Sequence, residues 1–173
     1  MSSSRPLVIG VSELQRRPGS RREVTRALEL EGLAISTAAV PEGGEIQVAV
    51  AVESLGDDVA VEGRVTAPFV GDCRRCLAEV RGEVFADVRE IFQKHPVEGE
   101  TYPIAGDHID LEPPMRDAIV LELPFVPLCR EDCLGLCPQC GFALNDDPSH
   151  RHEPPVDPRW APLRGLTDQT DRR

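Results

Sequence analysis

The chain has 173 residues and a formal net charge of −11, and 40% of its residues are hydrophobic while only 4% are aromatic. This length suits one domain with extended ends, whose core must be built mainly from Val, Ala, Leu and Ile. The acidic balance excludes a protein that coats nucleic acid with its main surface, because phosphate binding depends on clustered Lys and Arg.

Charge is unevenly distributed along the chain. Residues 1–26 carry a net charge of +4, whereas residues 27–140 carry −14. The sequence therefore predicts a basic N-terminal arm (1–26), a β-rich core with Cys knuckles (27–145) and a C-terminal tail with a docking segment (146–173). The arm supplies five candidate RNA-contacting arginines, Arg16, Arg17, Arg21, Arg22 and Arg26. A solvated arm beside an acidic surface that aids solubility is the alternative.

The first forty residues predict two short elements. Residues 7–9 are apolar and favour a short first strand, and Pro18-Gly19 indicates a turn. Residues 23–33 predict a short helix that ends at Gly32.

An antiparallel meander is predicted over residues 46–92. Three Val-rich runs, residues 46–55, 59–70 and 78–92, alternate apolar and polar positions and are separated by short turns. Gly63 and Gly82 are predicted to mark β-bulges. The connection between the second and third runs contains the first pair of cysteines, so these lie in the turn of a hairpin.

The segment after the meander predicts a loop and then a helix. Residues 94–108 are interpreted as loop, and Asp110 is expected to cap a largely buried helix that begins near Leu111 and stops before Pro124. A strand over residues 118–123 is the alternative. In the tail, Trp160, Leu163 and Leu166 are spaced by three and predict an apolar docking edge. The fold class is α+β: an antiparallel meander, barrel-like or open, with one or two packed helices and a Cys-rich zinc-binding segment.

Six cysteines and two histidines carry the strongest chemical signal. The cysteines occur as Cys73-x2-Cys76 and as Cys129-x3-Cys133-x3-Cys137-x2-Cys140, followed by His150 and His152. Two residues between cysteines let both thiolates face one metal across a tight turn, and structural zinc takes about four Cys or His ligands. The eight donors are enough for two structural zinc ions. A solvated loop is the alternative for the two histidines.

Other uses of the cysteines are less well supported by the sequence. The N-terminus lacks a secretory signal pattern and no apolar run approaches the ~20 residues of a membrane span, so we expect a reducing cytoplasm. Paired cysteines there indicate metal or redox sites rather than structural disulfides. A thiol redox switch is the main alternative. Nothing near the cysteines is typical of a catalytic zinc with an open position.

Three divisions of the donors into sites are compatible with the spacing. The preferred one joins the two cysteines of the first pair with Cys129 and Cys133, and leaves Cys137, Cys140, His150 and His152 for a second site. Another forms one site from the two C-x2-C knuckles. A third closes a site locally from the four cysteines between residues 129 and 140.

The motifs CRRCL, ELPFVPLCREDCLGLCPQCGFALN and VDPRWAPLRGL, in this order after a meander, resemble the YceD family of large ribosomal RNA subunit accumulation proteins over about residues 40–166. The resemblance implies a role in accumulation of large-subunit ribosomal RNA. It also implies a gene that often neighbours that of a small zinc-ribbon ribosomal protein, and no catalytic residues. Some members carry a Cys-x-Cys pair where this chain has His150-Arg151-His152, and others lack much of the second cysteine set.

The expected function is that of a non-catalytic factor in ribosome assembly, stabilised by one or two structural zinc ions. It would bind a large-subunit rRNA precursor through the arm and through Arg74, Arg75 and Arg81, or a basic ribosomal protein through the acidic body. A zinc-stabilised protein-interaction adaptor without a ribosomal role is the alternative. The sequence offers no phosphate-cradling loop or nucleophile elbow, so neither an enzyme nor a small-molecule substrate is expected.

Overall fold

A computed structural model describes residues 7–152 and Arg159. The chain divides into two compact units, residues 1–133 and residues 134–173. The named strands and helices of the described residues all lie in the first unit. In chain order they are β1 (Val8–Gly10), α1 (Ser12–Gln15), β2 (Arg21–Glu29), β3 (Ala38–Ala39), β4 (Glu45–Ser54), β5 (Val59–Asp72), β6 (Glu79–Gln93), β7 (Tyr102–Ala105), β8 (His108–Asp110) and α2 (Glu112–Glu122).

The strands form one curled, open sheet in the order β1-β8-β7-β6-β5-β4-β2, with β3 paired to β5 outside this path. All pairs are antiparallel except β6 with β7. The predicted fold class, a mostly antiparallel sheet with packed helices and a Cys-rich segment, is confirmed.

The predicted meander is the centre of this sheet. Its strands bury alternate valines, including Val48, Val50 and Val52 of β4, because successive side chains of a strand point to opposite faces. The β5–β6 hairpin pairs continuously from Val59↔Phe92 to Asp72↔Glu79, and the first cysteine pair lies at its tip.

The two glycines predicted as bulges have another role. The β5–β6 register runs through Gly63 and Gly82 without an extra residue, so neither marks a bulge. A Cβ on Gly63 would lie 2.2 Å from the carbonyl oxygen of Ala49 and 2.5 Å from the Cα of Val50. Gly82 faces the ring of Phe69, which a Cβ would approach to 2.7 Å. Both glycines therefore allow a close approach that a side chain would block.

The predicted helix is α2, and the alternative of a strand over residues 118–123 is wrong. The Asp110 carboxylate accepts a hydrogen bond from the Glu112 N–H at 2.9 Å, and Leu111, Met115 and Ile119 are fully buried on one face. The helix is amphipathic rather than largely buried, because Leu121 is 76% exposed on the opposite side.

Two other element predictions are wrong. Residues 23–33 do not form a helix: most of them lie in β2, an edge strand that pairs with β4 through nine residue pairs. Val24 and Leu28 are four residues apart. This spacing puts two side chains on one face of a helix, and it also puts them on one face of a strand, because strand side chains alternate between the two faces. Residues 94–108 are not all loop, because β7 pairs there with β6 and β8.

The predicted basic arm is part of the first unit, residues 1–133, which contains the sheet. Within residues 7–26, five apolar side chains are buried in the core, namely Leu7, Ile9, Val11, Leu14 and Val24. An extended arm is thus not what these residues form, because their apolar side chains complete the core. The predicted docking segment with Trp160, Leu163 and Leu166 lies outside the described residues. In the part of the chain that the structure describes, no helix is long and apolar enough to cross a membrane.

Candidate metal centre

Two clusters of metal-binding side chains form, one in each unit. Cys73, Cys76, Cys129 and Cys133 make up the four-cysteine cluster of the first unit, and Cys137, Cys140, His150 and His152 make up the Cys2His2 cluster of the second. The ligand atoms of each cluster lie within 4.8 Å of one another. This grouping is the preferred one of the three divisions that the cysteine spacing allows.

The hairpin tip positions the first two cysteines by a specific turn. The Cys73 N–H donates to the carbonyl of Ala78 at 2.8 Å, and the Leu77 N–H donates back to the carbonyl of Cys73 at 2.9 Å. This turn brings both thiols of the CRRC segment to one side. The Arg74 N–H donates to the Pro127 carbonyl at 2.9 Å, which holds the segment before Cys129 beside the tip.

The Cys2His2 cluster repeats this turn. The Cys137 N–H donates to the Phe142 carbonyl, and the Gly141 N–H donates to the Cys137 carbonyl, both at 2.8 Å. Gly141, the residue after Cys140, has a φ of +73°. The equivalent position of the hairpin tip is Leu77, which has a φ of +60° although it carries a side chain. A left-handed conformation costs a non-glycine residue about 1–2 kcal/mol.

The distances in the four-cysteine cluster fit a tetrahedral zinc site. The sulfur atoms of Cys73 and Cys133 are 3.9 Å apart, and those of Cys76 and Cys129 are 3.6 Å apart. Tetrahedral zinc with bonds of about 2.3 Å to sulfur requires sulfur atoms about 3.8 Å apart. Cys73 and Cys133 are buried, so a metal held here would be shielded from solvent on that side.

Backbone groups favour the thiolate form of two cysteines. The peptide N–H groups of Cys129, Cys76 and Arg75 point at the Cys73 sulfur and lower its pKa to about 6. Those of Gln139 and Cys140 lower the pKa of Cys137 in the same way. The pKa of Cys129 rises to about 12 because the thiols of Cys76 and Cys133 crowd it. Four adjacent thiols cannot all ionise without a neighbouring cation, and a metal ion held by the four sulfur atoms would supply that charge.

The Cys2His2 cluster is equally compact, but its donors are more exposed to solvent. The Nε2 atoms of His150 and His152 are 2.9 Å apart, and they lie 3.3 Å and 3.1 Å from the Cys140 sulfur. The His150 ring stacks on Phe142 with ring centroids 4.6 Å apart. Cys140 and His152 are exposed, whereas Cys137 is buried. Cys2His2 is a common donor set of structural zinc sites.

Arg75 has a structural contact that the sequence does not reveal. Its guanidinium donates from Nη1 to the carbonyls of Glu131 and Cys133, at 3.1 Å and 2.8 Å. It therefore ties the hairpin tip to the segment between Cys129 and Cys133. Its place between the two cysteines of a knuckle is the one signal that suggests such a role.

The other candidate arginines remain on the surface. The five arginines of residues 16–26 are all exposed, two in the turn after α1 and three on β2. Arg74 is exposed at the hairpin tip, and Arg81 on β6 forms an ion pair with Glu79 at 2.7 Å. The arginines of residues 16–26 and the arginines near the hairpin tip thus lie on different elements of the first unit.

The fold and its two clusters define a small antiparallel sheet protein with two four-donor sites that could hold metal ions. Residues 61–167 match the family model described as "Large ribosomal RNA subunit accumulation protein YceD". The chain belongs to the YceD family, as its motifs indicate.

Relatives span most of the chain. An uncharacterized protein of Mycobacterium tuberculosis is 41% identical over 91% of this chain and 80% of its own length. A chloroplastic protein of Zea mays, named large ribosomal RNA subunit accumulation protein YCED homolog 1, is 24% identical over 91% of this chain and 65% of its own length. The protein YlbN of Bacillus subtilis is 23% identical over 93% of this chain and 96% of its own length. No solved structure matches the chain.

Proposed function

We propose that this chain is a non-catalytic factor that supports accumulation of large-subunit ribosomal RNA by binding RNA in a reducing cytoplasm. Support at the level of the family comes from the description of the matched family model and from the name of the Zea mays relative. The mode of action rests on the exposed arginines of residues 16–26.

Both clusters are proposed to hold structural zinc. Cysteine thiolates and imidazoles are the donors that zinc prefers, and the donor spacings in both clusters are those of a compact four-ligand shell. A closed shell of four protein ligands leaves no position for a reacting water molecule. The metal would therefore stabilise the two knuckles, while recognition would come from other residues.

The observation that carries the RNA proposal is five exposed arginines within eleven residues, from Arg16 to Arg26. Of these, only Arg21 has a carboxylate partner among the described residues, Glu23 at 3.1 Å. The guanidinium groups of Arg22 and Arg26 donate to backbone carbonyls, which leaves their positive charge uncompensated. Clustered arginines of this kind supply the salt-dependent contacts that phosphates make.

The remaining surface argues for a confined RNA contact. Residues 27–140 carry a net charge of −14, which repels phosphate outside the arginine cluster. The same surface would suit a basic ribosomal protein, and a protein-interaction adaptor without a ribosomal role would need no arginine cluster at all. RNA binding that depends on residues 16–26 thus separates the proposal from both rivals.

The test is a salt titration of RNA affinity with substituted full-length protein. Deleting residues 1–26 is unsuitable because it removes buried core residues such as Ile9 and Val24. Arg16→Gln/Arg17→Gln instead removes two exposed charges outside the strands. The matched control, Arg64→Gln/Arg89→Gln, removes two charges from the outer face of β5 and β6.

Binding to a large-subunit rRNA fragment should show a log–log salt slope near −3 if about four arginines meet phosphates of single-stranded RNA. The Arg16/Arg17 double substitution should make the slope shallower by about 1.4, and the control should leave it unchanged. Equal effects of both variants would contradict an arginine cluster at residues 16–26. Failure of the tagged protein to co-sediment with large-subunit precursors would favour the adaptor.

A further inference from the structure

The edge strand β2 is long and lacks a second neighbour. It has nine residues, all paired with β4 without a break, and contains neither Pro nor Gly. Average strands have about 5–6 residues. In the part of the chain that the structure describes, no strand pairs with its other side. A long, regular, open edge is the kind of strand that accepts a further strand.

The backbone groups that face outward can be assigned. The Ser54 N–H donates to the carbonyl of Ser20 at 3.0 Å, so this carbonyl points toward β4. Because the direction alternates along an antiparallel strand, the carbonyls and N–H groups of Arg21, Glu23, Thr25, Ala27 and Glu29 point away. The Arg26 side chain caps the Thr25 carbonyl at 2.8 Å, which agrees with this assignment.

We propose that a second copy of this chain occupies the edge, through antiparallel β2–β2 pairing centred on Thr25. In this register Arg21 lies opposite Glu29 of the other copy, twice by symmetry. Glu23 lies opposite Ala27, and Thr25 lies opposite itself. The pairing spans the full length of β2.

Charge selects this register over its neighbours. A shift by one pair in one direction places Arg22 opposite Arg26. The opposite shift places Glu23 opposite Glu29. Like charges that face each other directly across a ladder are destabilising.

A further observation on β4 supports a cation beside Glu29. In the register of β2 with β4, Glu29 lies directly opposite Glu45, and both side chains are exposed. Neither has an ion-pair partner among the described residues. The Arg21 side chain of a second copy would offset this repulsion, because it would stand on the other side of Glu29 on the same face of the sheet.

The test is sedimentation velocity of full-length, zinc-loaded, nuclease-treated protein over a series of concentrations. A concentration-dependent dimer is expected. Arg21→Glu and Glu29→Arg should each raise the dissociation constant by about tenfold, because each replaces two attractive pairs by two repulsive ones. The double variant Arg21→Glu/Glu29→Arg should restore dimerisation. Arg64→Glu, a matched charge change on the central strand β5, should have no effect.

A backbone variant tests the strand pairing itself. Thr25→Pro removes an N–H that faces away from β4, so it should abolish the dimer while circular dichroism still shows the sheet. A chain that stays monomeric at all concentrations overturns the proposal. So does a dimer that tolerates both single charge reversals, or one that the double reversal fails to restore. RNA binding is tested with Arg16 and Arg17, which are absent from this pairing, so the two proposals can fail separately.

Discussion

The residue after the second cysteine of each knuckle has a left-handed backbone, which can be tested by asking whether glycine or alanine gives the more stable protein at that position. Leu77 and Gly141 occupy equivalent turns with φ values of +60° and +73°. We expect Leu77→Gly to yield a more stable protein than Leu77→Ala. Both variants lose the same side chain beyond Cβ, so the comparison isolates the backbone.

The magnitude follows from two opposing contributions. Alanine in a left-handed conformation costs about 1–2 kcal/mol, which glycine avoids. Glycine raises the entropy of the unfolded chain and so costs about 0.4–1 kcal/mol relative to alanine. The difference should favour Leu77→Gly by roughly 0.5–1 kcal/mol. With an ordinary strand or helix conformation at residue 77, only the second contribution would remain, and alanine would be the more stable variant.

Urea unfolding of both full-length variants at a fixed free zinc concentration measures this difference. Gly141→Ala serves as the reciprocal control, and it should weaken metal retention in the Cys2His2 cluster in competition with a chromophoric chelator. A Leu77→Ala variant that equals or exceeds Leu77→Gly in free energy of unfolding would refute the left-handed turn and its equivalence with the second knuckle.

Two further predictions concern the clusters and the sheet. Cys76→Ser and His152→Ala should each reduce bound zinc from two ions to one per chain. Cys76→Ser should lower the free energy of unfolding by about 1 kcal/mol more, because Cys76 closes a loop to a cysteine 53 residues away and His152 closes one to a cysteine 12 residues away. Thermal melts with metal analysis measure both losses, and equal losses of stability would contradict this difference in loop length. Gly63→Ala should lower the free energy of unfolding by about 1–3 kcal/mol, because its Cβ would overlap the β4 backbone. In the same urea unfolding experiment the control Gly10→Ala should have no effect, because no atom lies nearer than 3.7 Å to its Cβ. A Gly63→Ala variant as stable as the unsubstituted protein would disprove the close approach.

The meander and the cysteine knuckles could be predicted because local patterns determine them. Alternating valines specify strands that bury one face, as in β4, and the C-x2-C spacing specifies knuckles. The cysteine spacing alone left three divisions open, because only the long β5–β6 hairpin shows which distant segment reaches Cys73 and Cys76.

The mispredicted parts depend on partners that are remote in sequence. β2 is mostly polar because it lies at an edge, and its pairing with β4 decides its conformation more than its own residues do. The contact of Arg75 with the Glu131 and Cys133 carbonyls joins residues 56 and 58 positions apart. Neither the sequence around residue 75 nor the sequence around residues 131–133 has a pattern that predicts this contact.

The order in which the two clusters can close during synthesis follows from the spacing of their donors. The Cys2His2 donors lie within residues 137–152, so this cluster can close soon after its last histidine is made. The four-cysteine cluster needs Cys133, sixty residues after Cys73, and by then the whole meander has already been synthesised. Long-range closure is slow because the loop entropy must be overcome first. The growing chain therefore holds a dithiol at its hairpin tip for the time needed to make more than fifty residues, a period in which these two thiols lack the partners that would complete a metal site.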